Sequence, residues 1–273
     1  MLELLDGVRL TPAQRRIAQC LLERGPRAAY LSSGELADLA GVSQPSVTRF
    51  ATALGYDGYP ALRRALRELE ATPDRAGEDN DLQHAVRGEA EMLARLADRL
   101  ADGGAERSAV AEAGKLLADS RPLPVLGLRS AAPLAGYFGY FAAKVHPDVR
   151  VLDHGGSVLA DQLEQARAAG ATAMLAGVLP RYPKEALAAL RDARAAGLSA
   201  VVLTDSPLSP AARVADVVLT APVGSRLVFD LHTGPMALAT VLLQALCDAA
   251  PAQASARLEE FEVSAARRGV FVA

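Results

Sequence analysis

Residues 72–81, TPDRAGEDND, constrain this fold more than any other stretch of the chain. They hold a proline, a glycine and four acids with no apolar periodicity, so they read as a linker. Before them lie short helical patterns and no convincing strand. After them comes an extended helical pattern, then short β-branched runs alternating with longer helical ones. The change of period predicts an α/β protein made of an all-α unit, a connecting helix and a doubly wound parallel sheet. A chain of 273 residues is long enough for two ordinary domains, and 51% hydrophobic with 22% charged residues excludes a disordered or collagen-like chain.

No apolar run reaches the roughly 18 residues that a membrane-spanning helix needs. The start, MLELLDGVRLTPAQRR, lacks the basic flank, apolar stretch and cleavage site of a secretory signal, so a cytoplasmic protein is expected. Cys20 and Cys247 sit in apolar helical patterns and are expected as buried thiols, not as a disulfide or a zinc site. Of the 29 basic residues only Lys115, Lys144 and Lys184 are lysines, a bias that by itself says nothing about nucleic acid. Within residues 43–67, however, Arg49, Arg63, Arg64 and Arg67 face Asp57 alone. A chain of net charge −3 can still bind DNA through such a local excess.

The N-terminal helices carry explicit start signals. Thr11-Pro12-Ala13-Gln14 is a capping box with proline at the first helical position, followed by Ile17 and Leu21. Ser32-Ser33-Gly34-Glu35 is a second capping box, opening a short helix with Leu36, Leu39 and Ala40 inward. Gly41-Val42 makes a tight turn, and Ser43 is expected to cap a third helix that ends at Gly55. On it Val47, Phe50, Ala51 and Leu54 recur at i, i+3, i+4, i+7 and face the core, leaving Gln44, Pro45, Ser46, Thr48, Arg49 and Thr52 outward. A short helix, a glycine turn and a polar-faced helix make a helix-turn-helix, whose second helix lies in the DNA major groove. Gln44 could read adenine, Arg49 guanine or a phosphate, and Ser46 and Thr48 either. An ordinary helical bundle with a polar outer face fits the same residues.

The segment LADLAGVSQPSVTRFATALGYDGYPALRRAL resembles the N-terminal domain of the RpiR family of bacterial transcriptional regulators. Its leucine-glycine step and aromatic-x-glycine-aromatic segment appear as Leu54-Gly55 and Tyr56-Asp57-Gly58-Tyr59, leading into Leu62. The resemblance spans roughly residues 10–70. It implies that Ser43, Gln44, Pro45, Ser46, Thr48 and Arg49 begin a recognition helix on a double-stranded DNA operator.

A connecting helix at about residues 82–102 places Leu82, Val86, Leu93, Leu96 and Leu100 on one stripe, buried against a neighbouring domain or forming a dimer contact; Gly103-Gly104 ends it. Strands are expected at Pro124–Gly127, Val149–Leu152, Ala173–Val178, Ala200–Thr204 and Val217–Leu219, with helices between them. Ligands of such sheets bind at the carboxyl ends of the strands. Gly127-Leu128-Arg129-Ser130 lacks the further glycines of a dinucleotide fingerprint, so no nicotinamide cofactor, or any other, is expected.

Thr204-Asp205-Ser206-Pro207-Leu208-Ser209-Pro210, followed by Ala215-Asp216-Val217-Val218-Leu219, resembles the strand-end signature of the sugar isomerase (SIS) domain. That domain binds phosphorylated sugars, and helix-turn-helix followed by SIS is the RpiR architecture. The resemblance implies residues 1–75 as a helix-turn-helix domain, 76–120 as linker and connecting helices, 121–250 as the SIS effector domain and 251–273 as a helical tail. It also implies a homodimer or homotetramer.

The sequence departs from the SIS pattern at the phosphate-binding positions. Aligned on Gly127, the family's second glycine falls at Arg129 and its serine at Ala131, beside Ser130, while Val178 and Ala186 occupy further hydroxyl positions. Arg129, Arg181 and Lys184 bring positive charge to the same strand ends. The effector residues expected are Gly127, Arg129, Ser130, Arg181, Tyr182, Lys184, Thr204, Asp205, Ser206, Ser209 and His232, gripping an anion or surrounding a vestigial pocket. Isomerisation needs a positioned base, and neither His146 nor His154 lies in a base motif; His232 begins a helix, as ligand contact or cap. No catalytic or metal-ligating residue is assigned. The reading is a regulator that senses a phosphosugar or related anion, with an SIS-type sugar-phosphate isomerase as the alternative.

Overall fold

The computed structural model describes residues 10–24, 28, 31–70, 80–224 and 227–272. The chain separates into two compact units, Met1–Asn80 and Asp81–Ala273. Of the expected linker, residues 72–79 lie outside the described residues.

The first unit contains α1 (Pro12–Arg24), α2 (Ser33–Ala40), α3 (Gln44–Ala53) and α4 (Gly58–Glu70). Both capping boxes form. The Thr11 amide donates to Gln14 Oε1 at 2.8 Å, and Ser32 and Glu35 cap each other reciprocally. Gly41 ends α2 with φ 60°, the left-handed conformation that a side chain resists. Ile17, Leu36, Val47, Phe50, Ala51, Leu62 and Leu66 close the core, and Tyr59 donates its hydroxyl to the Leu31 carbonyl at 3.0 Å. Two expectations are corrected. Leu39 stays 45% exposed because Ala37 and Ala40 carry the inner face of α2 with Leu36, and Leu54, past the last turn of α3, is only half-buried.

The second unit opens with α5 (Asp81–Arg99) and α6 (Ala105–Asp119). There follow β1 (Leu123–Gly127), α7 (Ala132–Val145), β2 (Val149–Leu152), α8 (Ser157–Ala168), β3 (Ala173–Val178) and α9 (Lys184–Ala195). Last come β4 (Ser199–Thr204), β5 (Val217–Thr220), α10 (Thr233–Ala249) and α11 (Pro251–Arg268). The five strands are parallel in the order β2-β1-β3-β4-β5. Alternate strand residues face opposite layers, and both layers are apolar, which is why the strands read as continuous hydrophobic runs. Leu175, Val201 and Leu203 join the core under α6, α7 and α10, while Met174, Ala176 and Val202 join the core under α8 and α9. After β2 the chain returns to the other side of β1, so the carboxyl ends of β1 and β3 form the topological switch point.

The stripe of the connecting helix is buried only in part. Leu82 and Val86 are each 65% exposed, and α5 packs through Ala85, Glu89 and Leu96, with Leu93 and Leu100 half-buried. Its packing partner α10 covers a face slightly rotated from the leucine stripe. Cys20 is buried, but Cys247 is only half-buried. No single described helix is long and apolar enough to cross a membrane.

His146 ends α7 inside the fold, 2% exposed. Its Nδ1 accepts the Asp148 amide at 3.3 Å and its Nε2 has no partner. Burial, helped by the Arg121 cation, pushes its pKa below the ordinary 6.5. Protonation is therefore easier in the unfolded chain, so the stability from neutral His146 is complete above pH 6.5 and is lost as the pH falls below it. Chemical denaturation should show up to about 1 kcal/mol less stability from this group at pH 5.5 than at pH 7.5. His146→Asn, which keeps an acceptor for the Asp148 amide, should flatten that component; an identical pH dependence in the variant would contradict the assignment.

Candidate functional site

Two surfaces carry groups that the packing does not consume. The first is the outer face of α3. Val47, Phe50 and Ala51 are fully buried, which turns Gln44, Pro45, Thr48, Arg49 and Thr52 outward, with Ser46 half-buried between them. Ser43 stands at the N-cap with extended backbone, but its hydroxyl makes no capping bond. It pairs with the Ser46 hydroxyl at 2.9 Å, and Arg49 donates to that same hydroxyl at 3.3 Å. Gln44 donates to the Ser33 hydroxyl at 2.8 Å, tying the start of α3 to the start of α2. Ser43, Ser46 and Arg49 form a connected polar row on the exposed face. Arg64 is exposed and Arg63 half-buried, while the Arg67 side chain lies outside the described residues.

The second surface is the carboxyl edge of the sheet. Gly127 ends β1 where the chain turns back on itself: a Cβ there would collide with the Ala131 carbonyl and meet the Ala135 Cβ at 2.7 Å. Arg129 follows with φ 55°, the one non-glycine positive φ among the described residues. An arginine is thus strained into the left-handed region that a glycine would occupy freely. Ser130 donates its hydroxyl to the Leu179 carbonyl at 3.2 Å, fastening the β1 loop to the β3 loop. Tyr182 donates to Asp205 Oδ1 at 3.1 Å, and Thr204 donates to the Val178 carbonyl at 2.8 Å, fastening the β3 loop to the end of β4. Three strand-end loops therefore meet, as their spacing in the sequence requires.

Within this edge the candidate residues divide. Arg129, Arg181 and Lys184 are exposed and carry the free positive charge. Ala131, Val178 and Ala186, at the family's hydroxyl positions, are buried in the packing. Thr204, Ser206 and Ser209, expected as effector contacts, have hydroxyls that form bonds within the strand-end loops. All three are buried, with Ser206 Oγ accepting the Leu208 amide at 3.1 Å and Ser209 Oγ the Ala212 amide at 3.2 Å. His232 is the N-cap of α10 but makes no side-chain capping bond, so its half-buried ring stays available. Asp205 is half-buried, and burial raises its pKa above the ordinary carboxylate value, with the Asp230 carboxylate adding to the rise; bonds from its own amide, Tyr182 and Thr204 oppose it. His146 lies before β2, at the opposite edge of the sheet, and exposed His154 pairs with Asp153 at 2.5 Å.

Sequence reasoning missed Glu89. It is 6% exposed on α5, and its Oε2 has no hydrogen-bond partner. The signal was present: a glutamate at a position of the stripe formed by Val86, Leu93 and Leu96 is a polar residue where an apolar one is due. Among the described residues no three His, Cys, Asp or Glu side chains converge closely enough to hold a metal ion. A cavity of about 220 Å³ lies away from the switch point, between α8 and α9, lined by Leu159, Leu163, Ala189, Ala193 and Leu198.

Residues 6–73 match the helix-turn-helix domain of the rpiR family. The chain is 48% identical over 63 residues to the uncharacterized HTH-type transcriptional regulator YfhH of Escherichia coli. It is 36% identical over 63 residues to the HTH-type transcriptional regulator HexR of Pseudomonas aeruginosa. Each match covers 23% of this chain and 22% of the relative, so these likenesses concern the N-terminal unit alone. The sugar isomerase domain of an RpiR transcription factor from Sphaerobacter thermophilus superposes with a TM-score of 0.58 at 26% identity, covering 66% of this chain and 96% of that one. The Vibrio vulnificus NanR protein, solved with ManNAc-6P, shares the fold over 94% of both chains at 18% identity, TM-score 0.58. The chain thus joins an N-terminal segment, residues 6–73, that matches the helix-turn-helix domain of the rpiR family to a C-terminal α/β domain with the fold of a sugar isomerase domain.

Proposed function

We propose that this protein is a cytoplasmic transcriptional regulator whose α3 reads operator DNA and whose C-terminal domain senses a phosphosugar or related small anion. The observation that carries the reading is the face of α3: exposed Gln44, Thr48 and Arg49 are held by a helix whose other side is wholly buried. A helix so held can enter the major groove without giving up any packing. The experiment is selection of binding sites from random duplex DNA, followed by gel shifts at several salt concentrations. Affinity should fall steeply as salt rises, by the release of counterions from neutralised phosphates. Absence of salt-dependent binding would sink the regulator reading and raise the isomerase alternative.

A symmetric dimer, or a tetramer built from it, is the assembly that suits two half-sites. The exposed rings of Tyr140 and Phe141, stacked edge-on at 5.0 Å beside Lys144, offer one contact surface. A strictly monomeric species in light scattering, free and DNA-bound, would contradict this.

Arg129, Arg181 and Lys184 are the groups we assign to the effector's anion, since the residues at the usual hydroxyl positions are buried alanines and a valine. Held by point charges, the ligand should bind more weakly as salt rises than in a site of hydroxyls and amides. Arg181→Ala should abolish the effect of phosphosugars such as ManNAc-6P or glucose 6-phosphate on operator affinity, leaving ligand-free DNA binding unchanged. A phosphosugar panel that moves neither melting temperature nor operator affinity would favour a vestigial pocket.

A further inference from the structure

The chain leaves α11 as an apolar run that no described residue covers. Gly269, left-handed with φ 58°, stops the helix. Val270, Phe271 and Val272 follow, Phe271 61% exposed and Val272 fully so. Three consecutive apolar side chains in water are unfavourable unless something binds them. Just before them stand Arg267 and Arg268, both exposed and neither paired with a described carboxylate. Arg268 spends one donor on the Ser264 carbonyl at 3.2 Å. The segment is an apolar end with two positive charges behind it.

The same unit holds a matching concavity. The cavity of about 220 Å³ between α8 and α9 has an apolar floor of Leu159, Leu163, Ala189 and Ala193. It stays open because α9 presents alanines where longer side chains would fill the gap. Its rim is acidic. Glu164 is neutralised by Arg167, whose Nε donates to it at 2.9 Å, whereas Glu185 and Asp192 are exposed and have no described cationic partner. Two uncompensated negative charges beside an apolar floor are the complement of the run that follows α11.

The run cannot fill the groove of its own chain. α11 lies against α7, where Gln253 and Arg257 donate to the Val145 and Ala143 carbonyls, on the sheet face opposite α8 and α9. Three extended residues reach about 10 Å, while the α7 layer and the sheet between them take about 20 Å. We propose that Val270, Phe271 and Val272 of one copy seat in the α8–α9 groove of a second copy, with Arg267 and Arg268 against Glu185 and Asp192. In a symmetric pair each copy gives one tail and receives one, so both grooves fill and neither tail is left in water. Apolar contact supplies the affinity, and charge sets which way the tail lies. This contact is separate from the Tyr140–Phe141 face and rests on neither the DNA nor the effector reading.

The test is sedimentation equilibrium of the full chain without DNA, with fluorescence anisotropy of a labelled peptide of residues 264–272. Phe271→Ser should raise the dissociation constant of self-association about tenfold or more, and the groove it vacates should bind the peptide. Ala160→Arg, at an exposed position of the groove wall, should weaken self-association as much and bind the peptide about tenfold less tightly. Glu185→Arg with Asp192→Arg should weaken the peptide too, and a peptide carrying Arg267→Glu and Arg268→Glu should recover affinity on that variant. All these positions are exposed, so each variant should keep the wild-type melting curve. Self-association that ignores Phe271→Ser overturns the inference and, where it depends on Tyr140 and Phe141, leaves the assembly reading above standing. A peptide that does not bind the Phe271→Ser chain, or that binds Ala160→Arg equally well, also overturns it. A chain that is monomeric throughout removes both.

Discussion

Phe50→Ala should unfold the N-terminal unit while leaving the second unit intact. Phe50 is fully buried at the centre of α3, where Ile17, Leu36, Val47 and Leu62 share the same small core. Removing a buried phenyl ring removes its transfer free energy and leaves a cavity, together about 3–5 kcal/mol. A domain of roughly this size is seldom more than a few kcal/mol stable, so that loss is comparable to its whole stability. Denaturant unfolding followed by circular dichroism should then lose its earlier helical transition, and operator binding should vanish with it. The transition of residues 81–273 should not move, because Phe50 belongs to the core of the other compact unit. A variant that still shows both transitions would mean that the core relaxes around the missing ring.

Arg49→Ala, one residue away, should do the opposite. Arg49 is exposed, and its described contact is the 3.3 Å bond to the Ser46 hydroxyl, so the fold should survive unchanged. Operator affinity should fall by about 1–3 kcal/mol, about 5–150-fold, if the guanidinium reads a base, and specificity at that base pair should relax. If it meets a phosphate instead, binding should weaken uniformly across sequences and the salt slope should shrink by about one. Gel shifts against the selected operator and a scrambled duplex separate the two. Unchanged affinity on both would remove Arg49 from the interface.

Local rules carried most of the architecture. Helix starts were legible because Thr11 with Gln14 and Ser32 with Glu35 satisfy their own neighbours' amides, a bond whose partners lie three residues apart. Strands were legible because both faces of the sheet are covered, so β3 and β4 are apolar at nearly every position. The alternation of strands with helices then left a parallel, doubly wound sheet as the simplest arrangement. The inward set Val47, Phe50, Ala51 followed from helical period alone, and with it the polar face of α3.

What the local reading missed was decided either by a competing bond within the same turn or by a partner distant in the chain. Ser43 looks like a cap, but the Ser46 hydroxyl competes for it. Leu82 and Val86 look like core, but α10 covers a different face of α5. Thr204, Ser206 and Ser209 look like ligand contacts, yet the Thr204 hydroxyl donates to the Val178 carbonyl on the neighbouring strand, and Ser206 and Ser209 accept amides two and three residues further along their own loop. Sequence determined which elements form and which faces are apolar, because those depend on neighbours a few residues away. Only the tertiary structure decided which polar groups remain unspent, because hydrogen bonds and burial are settled between segments: Glu89 on α5 meets Gly224 and Leu231 across 135 residues of chain, and no periodicity reports that meeting.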